Sequence, residues 1–284
     1  MRNPYRLTTL GRALDIKHSG TRKIIVFTLL AGIFSMLLQF TSETTLQTSL
    51  LLSFKAAMMV FLVWAIAREL DPDHDNSSFV AVVFTIFNIL FLGIQPLIPL
   101  LWILLLLRIM NRSVGMRAGI IDSFIIFILG ILLSLQYNWI FAMLTALVLI
   151  LDSRLSEAHR LHLPLGIILA GISTYLFSTA GGRIDLEISL FEMISFIVAV
   201  ILFLPVIIDS GKITSVGDRT GEKLDPTRVR MAQIVTLGIA FLLSIDSIYG
   251  QNYPILYGIM AGIGIYRMLS NKKINEKTDS NFTE

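Results

Sequence analysis

Apolar residues fill most of the chain in long runs, and short polar segments separate these runs. In a bilayer every backbone N–H and C=O must be hydrogen-bonded within the protein, so runs of this kind form helices. The pattern predicts an all-α integral membrane protein, a polytopic bundle of about ten short transmembrane helices. The predicted spans are 24–41, 48–67, 79–92, 94–107, 119–135, 138–151, 163–180, 188–208, 231–249 and 254–269.

The stretch from Phe79 to Leu107 is long enough to form one tilted span. However, Gly93, Pro96 and Pro99 interrupt its middle, and a helix kinks or ends at such a group because proline lacks an N–H and clashes with the preceding turn. We therefore predict two short helices joined by a tight turn. A broken helix or a re-entrant hairpin is the alternative.

The distribution of basic residues tests the number of spans. With ten spans and a cytoplasmic N-terminus, only Arg183 falls outside and only Lys55 lies within a span, which leaves 21 of the 23 Lys and Arg side chains inside. Basic loops are retained in the cytoplasm, so this arrangement satisfies the positive-inside rule. We therefore expect a plasma-membrane protein whose two termini are both cytoplasmic.

Composition agrees with a membrane protein and excludes other classes. Charged residues make up 15% of the chain and hydrophobic residues 55%, whereas an ordinary soluble domain has about 25% charged residues. The absence of cysteine excludes thiol nucleophiles, thiolate metal sites and disulfide scaffolds. The net charge of +3 is explained by the topology, and no nucleic-acid partner is expected.

The two ends of the chain are polar. Residues 1–23 form a basic segment in which Leu7, Leu10 and Leu14 recur at helical spacing. This pattern predicts an interfacial helix on anionic lipid headgroups. Residues 270–284 are polar and are predicted to form a flexible cytoplasmic tail.

Three ionisable residues lie within the predicted spans, where charge is costly and commonly functional. Lys55, Glu192 and Asp246 are each roughly 6–11 Å below the outer boundary, as estimated from the helical rise per residue. Ten short helices in 284 residues are similar in size and topology to drug/metabolite-type transporters. Our leading hypothesis is a small-solute carrier in which these residues bind the substrate or a coupling ion. A buried ion pair without transport is the structural alternative.

A second hypothesis rests on Asp71, Asp73 and Asp75 in the first inner loop, together with Asp152 two loops later. Carboxylates are preferred ligands of Mg²⁺. The loops are placed as in membrane prenyltransferases of the aromatic-substrate type, although the motif of that family is absent. The resemblance implies a membrane-embedded lipid or isoprenoid enzyme. Alternatively, these acids stabilise the N-terminus of the following helix. A third hypothesis is a scaffold or accessory subunit without chemistry of its own.

The remaining polar motifs are weaker. An apolar-Asp-Ser triplet begins at Ile121, Leu151, Ile208 and Ile245, and an internal repeat would divide the chain into five plus five helices near Tyr137. The loop 209–230 is predicted to be a solvated connection. His74, His159 and His162 lack metal-ligand spacing, and the sequence assembles no Ser-His-Asp grouping.

Overall fold

A computed structural model describes residues 8–12, 14–40, 45–181, 188–245 and 254–281, the last range with side chains as far as Ser270. The regular structure of this part of the chain is α-helical, and strand-like pairing is limited to an isolated bridge between Val216 and Lys223. The predicted all-α fold class is therefore confirmed.

The described residues form ten α-helices, and their bounds lie within about five residues of the predicted spans, except that α10 ends twelve residues later than predicted. They are α1 (Ser19–Phe40), α2 (Leu46–Leu70), α3 (Asp75–Leu92), α4 (Leu97–Asn111), α5 (Ile120–Gln136), α6 (Ile140–Asp152), α7 (His162–Thr179), α8 (Leu190–Asp209), α9 (Pro226–Ile245) and α10 (Pro254–Asn281).

Six of these helices are long and apolar enough to cross a membrane, namely α1, α2, α3, α7, α8 and α9. Helices α4, α5, α6 and the apolar part of α10 are shorter, at 10–17 residues. About 20 residues are needed to cross the hydrocarbon core at the helical rise per residue. The fold is thus that of an α-helical membrane bundle.

The break predicted between Phe79 and Leu107 is present. Helix α3 ends at Leu92, and Gly93 follows with a φ of 82°, a left-handed backbone conformation that favours glycine. Helix α4 begins at Leu97, so Pro99 lies in its first turn, where the missing N–H removes no helical hydrogen bond. A single long helix over this stretch is excluded.

The chain forms two compact units that are interleaved along the sequence. Unit 1 comprises Met1–Leu14, Ile98–Glu192 and Ser210–Tyr253, and unit 2 comprises Asp15–Leu97, Met193–Asp209 and Pro254–Glu284. Unit 1 therefore holds α4 to α7 and α9, while unit 2 holds α1 to α3, most of α8, and α10. The boundaries of these units do not coincide with the division near Tyr137 that an internal repeat would give, and the repeat itself stays a hypothesis.

The core of unit 1 is built around Trp102 of α4, which is fully buried. Its indole Nε1 donates to Thr145 Oγ1 of α6 at 2.9 Å, and its ring lies 5.0 Å from that of Phe141. Gly130 of α5 faces the same threonine, so closely that a Cβ there would lie 2.7 Å from Thr145 Oγ1. Small residues thus allow α5 to approach α6, as is common between membrane helices.

Unit 2 is held together by similar close contacts. Gly32 of α1 lies against Ala57 of α2, and Gly262 of α10 lies against the backbone of Ala81 in α3. Because lipid tails are as apolar as these side chains, such packing contributes van der Waals contact that a larger residue would prevent.

The described part of the N-terminal segment is not helical over residues 8–12 and 14–18, so the predicted interfacial helix is absent there. Thr8 and Thr9 donate to the carboxylate of Asp122 at 2.5 to 2.8 Å. Arg108 donates to the Leu10 carbonyl at 2.8 Å. These hydrogen bonds fix residues 8–10 to the rest of unit 1.

The loop after α8 is folded rather than merely solvated. The N–H groups of Asp218 and Arg219 donate to the carbonyls of Ser113 and Val114, both at 3.2 Å. Gly115 has a φ of 83°, and a Cβ there would overlap Thr220. The loop therefore packs against the connection between α4 and α5.

The backbone of α10 remains helical to Asn281, beyond the end of its apolar run at residue 269. The polar composition had predicted a flexible tail from residue 270, whereas residues 270–281 continue the helix.

A glycine substitution in unit 2, compared with a control substitution in unit 1, tests the packing of unit 2. We expect Gly262→Ala to lower the free energy of unfolding by about 1–3 kcal/mol, because the new methyl would meet the Ala81 backbone at 2.8 Å. Gly171→Ala in α7 is the matched control. No atom lies within 4 Å of a Cβ at Gly171, so the better helix propensity of alanine stabilises by up to about 1 kcal/mol. Denaturant unfolding in detergent measures the change in the free energy of unfolding for both variants. If both variants were stabilised, or both destabilised, the close contact assigned to Gly262 would be wrong.

Candidate functional site

A group of charged and polar side chains lies at one end of unit 1, where α6 ends and α7 and α9 begin, and its centre is buried. Asp152, His162 and Arg228 have exposed fractions of 1%, 1% and 2%. We call this group the Asp152 cluster; its members are Arg112, Ser123, Asp152, Ser156, Glu157, His162 and Arg228.

Asp152 is bound on both carboxylate oxygens. Arg228 Nη1 donates to Oδ1 at 2.7 Å, and His162 Nδ1 lies 2.6 Å from Oδ2. Arg112 Nη2 lies 3.6 Å from Oδ1. A buried carboxylate is tolerated only when opposite charges and hydrogen bonds replace its water, and these three side chains supply both.

Arg228 connects three segments of unit 1. Its guanidinium donates to the Met110 carbonyl at 3.1 Å, to Asp152, and to the carbonyl of Ser156. Its Nε lies 3.4 Å from Ser156 Oγ. The ends of α4 and α6 and the start of α9 are thus held by one side chain, whose planar array of donors suits this task.

The pKa of Asp152 reflects these contacts. Burial raises it, but the hydrogen bonds and charges of His162 and Arg228 outweigh burial and lower the pKa to about 2. Asp152 lies one residue beyond the apolar run 138–151. Its contribution to stability is therefore complete above the unfolded pKa of about 4 and is lost as the pH falls towards 2.

His159 lies beside the Asp152 cluster, and the cluster affects its pKa. Its ring centroid lies 5.0 Å from that of His162. Burial lowers the pKa of His159, and its electrostatic interactions with His162 and Arg117 lower it further.

The sequence predicted no Ser-His-Asp grouping, yet the structure brings Ser123, His162 and Asp152 together. Ser123 Oγ lies 2.9 Å from His162 Nε2, and His162 Nδ1 lies beside Asp152. This is the order of side chains found in serine hydrolases. Here Ser123 is fully buried, and its hydroxyl also donates to the Gly119 carbonyl at 2.9 Å. The arrangement therefore links α5, α6 and α7 through hydrogen bonds inside the protein.

The aspartate-rich loop lies in unit 2 and is engaged by basic side chains. Asp71 is 2% exposed and lies 3.1 Å from His74 Nδ1 and 3.2 Å from Arg267 Nη2. Asp75 lies 3.0 Å from Arg68 and 3.4 Å from His18.

These pairs offer an ordinary structural role for the acids proposed as Mg²⁺ ligands. Within the described residues, no three His, Asp or Glu side chains form a metal-binding group. Asp73 makes interactions of its own, and Asp152 belongs to the other unit. The metal hypothesis stays a prediction.

The three intramembrane candidates have different surroundings. Lys55 is half-buried in the apolar part of α2. Glu192 lies in the first turn of α8, where its Oε2 accepts from the N–H and hydroxyl of Ser189 at 3.1 and 2.8 Å, and its own N–H donates back to Ser189 Oγ. This reciprocal capping box gives Glu192 a structural role. Asp246 falls outside the described residues.

Among the described residues of α1, α2 and α3, four buried polar atoms on uncharged side chains lack a hydrogen-bond partner. They are Thr28 Oγ1, Ser53 Oγ, Trp64 Nε1 and Asn88 Oδ1. Most buried polar groups in proteins are paired with protein or ordered water. These four atoms are therefore candidate positions in unit 2 for a hydrogen bond to a polar ligand.

Sequence reasoning found Asp152 but missed Ser123, His162 and Arg228 as its partners. The recurring Asp-Ser pairs at 122–123 and 152–153 are a signal for two of the contributing helix ends. Nothing in the spacing of Arg228 links it to Asp152, from which it is separated by 76 positions.

The features so far define an α-helical membrane protein with an ion cluster buried at one end of one unit. The chain matches no protein-family model, no curated protein and no solved structure. The functional argument therefore rests on its own residues.

Removing the central charge tests the Asp152 cluster. We expect Asp152→Asn to lower the free energy of unfolding by about 3–5 kcal/mol, because Arg228 would be left buried without the carboxylate that neutralises it. Denaturant unfolding in detergent, followed by helical circular dichroism, measures the change.

Glu157→Gln is the matched control, since Glu157 also pairs with Arg112, at 3.1 Å, but its side chain is 80% exposed. An exposed pair contributes about 1 kcal/mol or less. If the two variants lost the same free energy of unfolding, the burial of Asp152 would not increase its contribution to stability.

Proposed function

We propose that the protein is a multi-pass membrane carrier for a small solute, with its polar path in unit 2. The observation that supports this most directly is the set of four unpaired polar atoms of Thr28, Ser53, Trp64 and Asn88. In an apolar bundle such atoms are costly unless water or a solute binds them.

These atoms are spread through the thickness of unit 2. The start of α1, the end of α2 and the start of α3 share one charged end, as the contacts of Asp75 with His18 and Arg68 establish. Counted from that end at 1.5 Å per residue, Trp64, Thr28, Asn88 and Ser53 lie at depths of roughly 9, 14, 20 and 26 Å. A series of this length is what a path for a polar solute requires.

Lys55 lies at a similar depth to Asn88 and Ser53, roughly 22 Å from the charged end. An ammonium group within a span marks a substrate or ion site, and it would bind an anionic group of the solute or repel a coupling cation. Glu192 belongs to unit 1 and Asp246 lies outside the described residues, so neither is assigned a place in this path. Their role as acidic ligands of a solute or ion stays a prediction from the sequence.

The Asp152 cluster fits the fixed part of such a carrier. Its charges are satisfied by one another, so a solute would gain little by binding there. A carrier needs helices that move and helices that keep their packing, and we assign unit 1 to the second role.

The location that accompanies this proposal is the plasma membrane, with ten crossings and both termini in the cytoplasm. The polar contacts at the helix ends support helices that alternate in direction across the membrane. In unit 1 the end of α4, the start of α5, the end of α6 and the starts of α7 and α9 all carry polar contacts with one another. In unit 2 the starts of α1 and α3 and the end of α2 do the same.

Water access tests the path, and the natural chain helps because it has no cysteine. We expect single variants Ser53→Cys and Asn88→Cys to react with a membrane-impermeant, negatively charged methanethiosulfonate at least tenfold faster than the lipid-facing neighbours Phe54→Cys and Phe87→Cys. The reason is that the thiolate reacts, and it forms only where water reaches it. The control side chains are 61% and 54% exposed on the outer surface of the bundle. Mass spectrometry of protein in sealed vesicles measures the rates.

A carrier exposes the same thiols to each side in turn, so both vesicle orientations should label. Equal, slow reaction of Ser53→Cys and Phe54→Cys, and of Asn88→Cys and Phe87→Cys, would remove the polar path and favour the scaffold hypothesis.

Orientation has its own test with the same reagent. We expect Lys17→Cys and Lys223→Cys to be protected in intact cells and to label in inside-out vesicles, because basic loops are retained in the cytoplasm. Thr179→Cys, at the exposed end of α7, should label in intact cells. The reverse pattern would invert the topology.

A further inference from the structure

An apolar groove runs between α1 and α3 in unit 2. Its volume is about 480 Å³, and it is lined by side chains of α1 between Phe27 and Leu38 and of α3 between Ile86 and Leu90. Ser35 is the one polar side chain among the described residues that line it. Lining residues such as Phe34, Leu37 and Leu90 are 47%, 58% and 44% exposed. In a bilayer the groove therefore opens to the lipid.

One end of the groove lies close to positive charge. Phe27, which lines it, packs against Phe79 with ring centroids 5.9 Å apart. Lys23 Nζ lies over the same Phe79 ring, 5.8 Å from its centroid. The groove and this ammonium group are thus separated by a single aromatic ring, at the charged end of unit 2.

The basic residues at this end are not equivalent. Arg68 and His18 are already paired with the carboxylate of Asp75. Arg22 and Lys23 are both exposed in the first turn and a half of α1. Two exposed cations at the polar end of an apolar groove are complementary to a phosphodiester at the head of an acyl chain.

We propose that the groove binds one acyl chain of an anionic phospholipid, with the phosphate of that lipid against Arg22 and Lys23. This site is independent of the solute path proposed above. The groove contributes van der Waals contact along the chain, but bulk lipid offers a similarly apolar surrounding. Selection must therefore come from the headgroup, and the site should prefer anionic over zwitterionic lipid.

Native mass spectrometry in detergent tests the site by measuring the affinity of the first bound lipid. The probes are palmitoyl-oleoyl phosphatidylglycerol and palmitoyl-oleoyl phosphatidylcholine. We expect the natural chain to bind the first phosphatidylglycerol at least tenfold more tightly. Arg22→Gln and Lys23→Gln should each lose about fivefold, the equivalent of one basic residue at a membrane surface, while Lys223→Gln in unit 1 should change the affinity less than twofold.

Two neighbouring leucines of α1 provide a matched test of the groove, because only one of them lines it. Leu30 lines the groove, whereas Leu29 does not, and the two are 55% and 61% exposed. Leu30→Trp fills the groove and should weaken the first phosphatidylglycerol at least fivefold. Leu29→Trp adds the same side chain outside it and should leave the affinity within twofold.

Three results would overturn the proposal. The first is equal affinity for the two lipids. The second is an equal effect of Leu29→Trp and Leu30→Trp, which would mean general contact with surrounding lipid. The third is a dimer that forms in place of lipid binding and is lost in Leu30→Trp, which would assign the groove to a second copy of the chain.

Discussion

The burial of one carboxylate organises unit 1. Asp152 is taken out of water at the end of α6, and its charge is tolerated because Arg228, Arg112 and His162 surround it. Each partner comes from a different element, so neutralising the charge also fixes where α4, α7 and α9 begin or end. Ser123 extends the same network to α5. The need to neutralise the buried carboxylate of Asp152 therefore helps to determine how five helices are arranged.

The bilayer explains why the charges collect at helix ends. Within hydrocarbon, a backbone group is satisfied by its own helix, but a charged side chain has no such partner. Charges therefore concentrate where the helices reach water, as Asp71 with Arg267 and Asp75 with Arg68 do in unit 2. The apolar middle of each helix is then left for close packing, for the few unpaired polar atoms, and for contact with lipid.

The two candidate roles of unit 2 depend on different parts of the same helices. The proposed solute path uses buried polar atoms such as Ser53 Oγ and Asn88 Oδ1, which face the interior. The proposed lipid site uses the exposed apolar faces of α1 and α3 and the basic turn at Lys23. The two proposed sites use different faces of the same helices, and neither site requires a loop or a soluble domain.

The sequence by itself determined the fold class, the ten helices and the break at Gly93, because these depend on local hydrophobic runs and on glycine and proline. It also identified Asp152, but it could not name Arg228 or His162 as partners, since such pairing depends on which helix ends meet. Tertiary structure alone decided the interleaved units, the packing of residues 8–12 on Asp122 and the capping role of Glu192. The hydrophobic pattern of a sequence indicates whether a residue is buried. Which residue lies next to it is decided only when distant segments pack together.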